Sequence, residues 1–327
     1  MLLRLVPEKT DIKFLAMRKV ALAFSAILLV ASVALFFTRG LNYGIDFKGG
    51  VNLFMHSTNG NAADITRIRT ISAANVVGEV KVKEFGENTE VLISIEKQPG
   101  GSKEQNDALK TVQEALITAM PELSFQSSEV IGPQVSGELK RDGMIAITIA
   151  IIFVLIYIWF RFEWQFGLGA VVALMHDIIL TVGFFSITGL EFNLSIIAAL
   201  LTIVGYSLND TVVVYDRVRE NVRKFRKMSM EDMLDLSLNQ TLSRTMMTSV
   251  TTLVALLALF FLGGEVLRGF TDAMIWGVLV GTYSSVFVAS PMLLIFKLKR
   301  ESLLMDDEKH DPTVDKSKPT PFDHFQG

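Results

Sequence analysis

The residues best equipped for chemistry in this chain sit among apolar ones. Gly205-Tyr206-Ser207-Leu208-Asn209-Asp210-Thr211 runs directly into Val212-Val213-Val214, then Tyr215-Asp216. On insertion scales a carboxylate at mid-bilayer costs at least about 2.5–3.5 kcal/mol, so an acid retained in such a segment points to function. Asp210 lies six residues before Asp216, about 9 Å deeper along a helix. Tyr206 at i−4 and Ser207 at i−3 stand on its side of the helix, and both are expected to reach the carboxylate; Asn209 is its immediate neighbour. Arg244 falls in the predicted first turn of a later apolar helix, at a depth that makes a pair with Asp210 feasible. Burial favours the protonated carboxyl and a nearby guanidinium the ionised one. A pair that opens and closes would therefore take up and release a proton, whereas a pair held shut would staple two helices. His176-Asp177 forms a second polar site. Adjacent residues diverge by about 100° on a helix, so the two cannot face one ligand squarely. Helix–helix hydrogen bonding or a secondary place in the proton path are its two readings.

Several classes of chemistry drop out. The chain has no cysteine, which removes disulfides, thiolate nucleophiles, Cys-held zinc and iron–sulfur clusters. Its four histidines, His56, His176, His310 and His324, are scattered, so neither a metal site nor a cofactor is expected. No catalytic triad or Gly-rich phosphate loop occurs, and the chain reads as a non-enzyme. A net charge of −3 argues against nucleic acid as a partner.

The elements that must position these residues follow from composition. Of the 327 residues 50% are hydrophobic and only 20% charged, and the charge is confined to particular segments, as a bilayer requires. Six segments are long and apolar enough to span, residues 20–38, 144–160, 166–190, 192–215, 246–262 and 270–296. The second and fifth are short and are expected to extend into polar flanks. The third and fourth meet at Leu190-Glu191 and predict a tight helical hairpin. The first is read as a retained anchor, because Leu35-Phe36-Phe37 continues the apolar run. Basic residues fall on one side of six spans: Arg4, Lys9, Lys13, Arg18 and Lys19; Arg161; the cluster from Arg217 to Lys227; Lys297, Lys299 and Arg300. Both termini are therefore expected in the cytoplasm.

The organisation that results is a cytoplasmic arm (1–19), a first transmembrane helix (20–38), a periplasmic domain (39–142), a five-helix membrane region (143–297) and a disordered cytoplasmic tail (298–327). Within the inserted domain the patterns predict strand 51–57, helix 62–75, strands 79–85 and 90–96 joined through Gly86-Glu87-Asn88, helix 102–120 and strand 124–131. That order is the split βαβ, or ferredoxin-like, arrangement. Gly49-Gly50 and Gly132-Pro133 flank the domain and are expected to hinge it, so that it moves as a unit. The fold class is thus an α-helical polytopic membrane protein with an inserted α/β domain. In the last span Gly277, Gly281, Ser284 and Ser285 suit close helix packing, and that span is a candidate face for a partner.

These residues also form an ordered set of motifs. Gly44-Ile45-Asp46-Phe47-Lys48-Gly49-Gly50, Ile131-Gly132-Pro133-Gln134-Val135-Ser136, Arg161-Phe162-Glu163-Trp164, His176-Asp177, the stretch 205–221 and Leu242-Ser243-Arg244-Thr245 resemble the SecD/SecF family of Sec translocase accessory subunits. The resemblance covers roughly residues 10–297. It implies half of a twelve-span bundle of the resistance–nodulation–division type, with the other half supplied by SecD. It also implies that the proton-motive force is used to help draw preproteins from the SecYEG channel on the periplasmic side of the bacterial inner membrane. The positions matching Asp210 and Arg244 then belong to the proton path, and the partners are SecD, SecYEG, preproteins in transit and the lipid bilayer. A small-molecule exporter half of the same superfamily and a structural membrane scaffold are the alternatives. The exporter normally carries two large exported domains in one chain; the scaffold would tolerate Asp210→Asn.

Overall fold

The computed structural model describes residues 10–225 and 227–298. Arg4, Lys9, Arg226, Lys299, Arg300 and the tail 301–327 lie outside the described residues. Among the described residues six helical stretches are long and apolar enough to cross a membrane. They are α1 (Arg18–Arg39), α5 (Pro133–Arg161), α6 (Trp164–Thr188), α7 (Leu194–Lys224), α8 (Met230–Leu262) and α9 (Gly264–Ser284), the last continuing through a π-helical turn (Ser285–Ala289) into α10 (Ser290–Ile295). Sequence chemistry sets several ends. Pro133 opens α5, where a missing N–H costs nothing. The Ser229 hydroxyl accepts from the Asp232 N–H to start α8. Gly189, with φ of 68°, closes α6 in the left-handed region. The second and fifth spans do extend into polar flanks, back to Pro133 and Met230.

α6, α7 and α9 form the inside of the bundle, and α1, α5 and α8 stand around them with most of their surface open. Close approach at the centre needs residues without bulk. A Cβ on Gly277 would run into Ile203 of α7, and one on Gly281 would sit 3.1 Å from Ser207. The small-residue face of α9 is therefore spent on α7 inside this chain, not held open for a partner as the sequence suggested. At the opposite end from the inserted domain, Tyr215 is fully buried against Phe166 and Phe162. Its hydroxyl donates to the Ala289 carbonyl of the π turn; such turns release carbonyls from the helical ladder. Gly169 leaves the room for that hydroxyl. The same end gathers charge: Arg18 pairs with Glu231, Arg161 with Asp216 at 3.0 Å, and the Leu15 N–H donates to Asp235.

The inserted domain begins with β1 (Asn42–Tyr43) and the short α2 (Ile45–Lys48), then runs β2 (Gly50–Ser57), α3 (Ile65–Ala74), β3 (Val80–Phe85), β4 (Glu87–Glu96), α4 (Ser102–Ala119) and β5 (Leu123–Ile131). Its four-stranded sheet has the order β3-β4-β2-β5, with all neighbours antiparallel. Alternation buries Val51, Leu53 and Met55 of β2 and Val91, Ile93 and Ile95 of β4. All of these but Val51 pack with Ile68 of α3 and Val112 and Leu116 of α4 into a core separate from the bundle. Gly50, next to Ile131 and Glu96 in the central strand, has no room for a Cβ because the Ile95 carbonyl occupies it. Gly49 takes φ of 80°, a conformation open to glycine. Across the joint Lys48 pairs with Glu96 at 3.1 Å, and this hydrogen bond holds the Glu96 carboxyl below the usual range.

The connection between α6 and α7 is not a bare turn. Residues 191–192 form β6 (Glu191–Phe192), paired in parallel with β1. The Gly44 N–H donates to the Phe192 carbonyl at 2.9 Å, and Asp46 Oδ2 accepts from the Leu194 N–H at 2.8 Å. Asp46 thus caps the first turn of α7 from the far side of the chain. Lys83 of β3 reaches Glu191 at 2.8 Å, and Lys81 reaches Asn42 at 3.2 Å. A clip of backbone and side-chain bonds so joins the inserted domain to the start of α7.

Two expectations follow. Asp46→Ala removes the cap, worth about 1 kcal/mol, and should speed amide exchange in the first turn of α7 while Asp46→Asn stays close to the parent. Gly277→Leu overpacks the α7–α9 contact at a cost of about 1–3 kcal/mol. It should lower the thermal midpoint in detergent, whereas Leu279→Ala, on the exposed side of the same helix, should leave it nearly unchanged.

Candidate functional site

α7 carries its polar residues on different faces, and the faces meet different helices. Ser207 points to α6 and α9. Its hydroxyl donates to Asp177 Oδ2 at 2.5 Å, and the Ser284 hydroxyl donates to the same oxygen at 2.8 Å. His176 Nδ1 lies 2.9 Å from Asp177 Oδ1, an arrangement in which the ring N–H donates to the carboxylate. Asp177, 1% exposed, thereby has both oxygens satisfied by three helices' worth of side chains. The His176 ring stacks on Tyr283 of α9 at 6.1 Å, and the Tyr283 hydroxyl donates to the Ala21 carbonyl and meets the Ser25 hydroxyl on α1. The pair expected to glue helices links α1, α6, α7 and α9. The divergence of adjacent residues did not prevent His176 and Asp177 from bonding to each other.

Tyr206 takes another direction. Its hydroxyl donates to Ser249 of α8 at 3.3 Å, and Ser249 stands 2.7 Å from Thr282 of α9. Neither Tyr206 nor Ser207 bonds to Asp210, contrary to the expectation from i−4 and i−3 spacing. Both hydroxyls have partners on neighbouring helices that pure helix geometry cannot reveal.

Asp210 is 3% exposed. The Thr248 hydroxyl of α8 lies nearby but donates to the Thr245 carbonyl at 2.9 Å, and Arg244 acts on the carboxyl group through charge. Among the described residues no cation forms an ion pair with it, and Oδ2 has no hydrogen-bond partner. Arg244 itself lies well inside α8, not in its first turn, and is exposed, as is Asn209. Oδ2 of a buried carboxylate is thus left without a bond, with the exposed Arg244 of the neighbouring helix acting on it only through charge. Thr248, at i+4 from Arg244, was missed from the sequence; the signal was a hydroxyl one helical turn from the arginine on the same face. Ser284 and Ser249 carried no signal beyond being polar in an apolar span.

Asp46 reaches the clip at the N-terminal end of α7, Gly49 and Gly50 lie against Ile131 and Ile95 where the tether enters the sheet, and Gly132-Pro133 joins β5 directly to α5. The two tethers lie side by side, with Gly50 opposite Ile131 in the sheet.

Comparison with known proteins gives the family. The model described as "Protein export membrane protein SecD/SecF, C-terminal" matches residues 111–299, and the "SecD/SecF GG Motif" matches residues 34–53. "Protein translocase subunit SecF" of Cereibacter sphaeroides is 42% identical over 304 residues, 91% of this chain and 93% of the relative. The protein of the same name from Rhodobacter capsulatus is 44% identical over 323 residues, 95% of each. Among solved structures, SecDF from Thermus thermophilus, described as a translocon-associated membrane protein, aligns with a TM-score of 0.75 at 35% identity, and SecDF in its super-membrane-facing form with 0.69 at 34%. This chain is covered to 89% and 93% in these alignments but spans only 39% and 41% of the SecDF chains. With matches this long on both the membrane helices and the glycine motif, the chain belongs to the SecD/SecF family of protein export membrane proteins, on its SecF side.

Proposed function

We propose that the chain is a proton-driven accessory subunit of the Sec translocase, seated in the bacterial inner membrane with SecD as its other half. In this reading SecYEG delivers preproteins to the periplasmic side, and the inserted domain, on that side, helps to draw or release them. The observation that carries the reading is Asp210: a carboxylate 3% exposed, with one oxygen unbonded, on the helix whose outer end is capped by the tether of the inserted domain. Protonation of Asp210 removes a buried charge that attracts Arg244; deprotonation restores it. Either change alters the force between α7 and α8, and the clip passes a shift of α7 to the domain. A proton crossing the bilayer delivers about 2.3 kcal/mol per 100 mV, comparable to the ~1–3 kcal/mol that biases conformational equilibria.

Orientation rests on charge. Lys13, Arg18, Arg161, Arg217 and Arg219 share the end of the bundle opposite the inserted domain, which by the positive-inside rule faces the cytoplasm. A passive scaffold would need both buried acids to be satisfied, and only Asp177 is.

The two acids separate the roles. Asp210→Asn keeps the shape but cannot titrate, so preprotein export in vesicles should lose its dependence on the proton gradient while the protein inserts at normal levels and retains SecD. Arg244→Lys should impair the cycle in part, since the ammonium keeps the charge without the planar fork. Asp177→Ala strands Ser207 and His176 and leaves Ser284 only its bond to the Gly281 carbonyl, a loss of about 1–3 kcal/mol for each buried group left unbonded, and should show first as a lower yield of folded protein. Gradient-dependent export by Asp210→Asn at normal protein levels would overturn the relay.

A further inference from the structure

A cavity of about 320 Å³ opens between α1 and α5 at the end of the bundle nearest the inserted domain. α6 and α7 form its floor through Ile178 and Leu200, Phe36 and Ile147 form its sides, and Tyr43 and Phe47 of the tether close its top. The walls are apolar, and Lys140 contributes the only charge among the lining residues. That size lies within the range of small-ligand sites, which reach about 300–1,000 Å³. Water is a poor occupant of such a space, because a buried water needs two to four polar partners.

We propose that this cavity binds one acyl chain of an anionic membrane phospholipid, with the headgroup at Lys140. Three observations select that occupant. The mouth lies between helices whose outer surfaces are apolar and open, with Phe37 80% and Met144 60% exposed, so what enters comes from the hydrocarbon. Lys140 stands seven residues before Ile147 on α5, about 10 Å along the helix axis, placing a cation at the mouth and apolar wall below it. Its ammonium lies 4.9 Å from the centre of the Tyr43 ring, held at the rim as a lysine that keeps its head toward water and its stem along apolar surface. A basic group at the edge of an apolar gap between membrane helices is the chemistry that recognises an anionic headgroup. The lipid lies under the aromatic cluster of Tyr43, Phe47 and Phe192, whose rings meet at about 6 Å. It therefore supports the clip that ties the inserted domain to α7.

The test uses the full chain, alone and in complex with SecD, in nanodiscs containing phosphatidylglycerol or phosphatidylcholine that carries a mid-chain diazirine. After illumination, mass spectrometry should find adducts on the cavity segments of α1, α5, α6 and α7 several-fold above those on the open surface of α8 at Val254 and Leu257, and more from phosphatidylglycerol. Val33→Trp, a substitution at a half-open wall position, should fill the cavity and bring its labelling down to the α8 level. Lys140→Gln should leave the chain folded and abolish the preference for phosphatidylglycerol. Uniform labelling, or cavity labelling indifferent to both substitutions, would overturn the proposal. So would cavity labelling that disappears when SecD is present, which would assign the space to that partner.

Discussion

A carboxylate removed from water must be hydrogen-bonded, paired or protonated, and this constraint organises the membrane half of the chain. Two acids face it with different outcomes. Asp177 is satisfied on both oxygens by Ser207, Ser284 and His176, and the satisfaction is what fastens α6, α7 and α9 together. Asp210 is equally buried but keeps a bare oxygen, with a hydroxyl and a distant guanidinium as its polar company. A fully bonded acid resists change in its surroundings; one with a bare oxygen is open to a proton. The small residues of α9 belong to the same solution, because only glycines at 277 and 281 let Ser284 approach α7 and the Asp177 carboxylate closely.

In the proposed coupling a change at Asp210 must be felt elsewhere, and α7 is the helix that carries Asp210 and meets the inserted domain. Its outer end accepts a cap from Asp46, and the residues preceding it pair with β1. Lys83 and Glu191 add an ion pair from the sheet itself. The glycines at 49 and 50 do not form a slack linker: they lie where the tether turns into the central strand, against Ile131 and Ile95. The inserted domain is therefore joined to α7 through a short, bonded path. The acyl-chain cavity lies directly beneath that path, so lipid composition and the clip act on the same aromatic cluster.

Much of this was legible in the sequence, and the parts that were not share a cause. Six spans, the order of strands and helices in the inserted domain and the burial of the polar His176, Asp177 and Asp210 follow from apolar run length, alternation and charge in apolar surroundings. Ser207 and Tyr206 were assigned to Asp210 because helix spacing records neighbours on one helix; their real partners, Asp177 and Ser249, are on other helices. The face of α9 was taken as open for the same reason, since a stripe of small residues does not say which helix fills it. β6 was invisible, because two residues between spans carry no strand pattern and exist as a strand only by pairing with β1. Arg244 was placed one turn into its helix because the apolar run starts at 246, while the structure begins α8 at Met230 on the strength of the Ser229 cap.

The central claim is that the protonation state of Asp210 sets the position of the inserted domain through α7. The absence of native cysteines allows paired spin labels without background, one at Asn61 on the inserted domain and one at Leu262 at the end of α8. Electron–electron distance measurements on the complex with SecD, in lipid at high and low pH, address the claim most directly. The account predicts a distance distribution that shifts with pH in the parent and stays fixed in Asp210→Asn. The same pH-dependent shift in Asp210→Asn, or none in the parent, would contradict it.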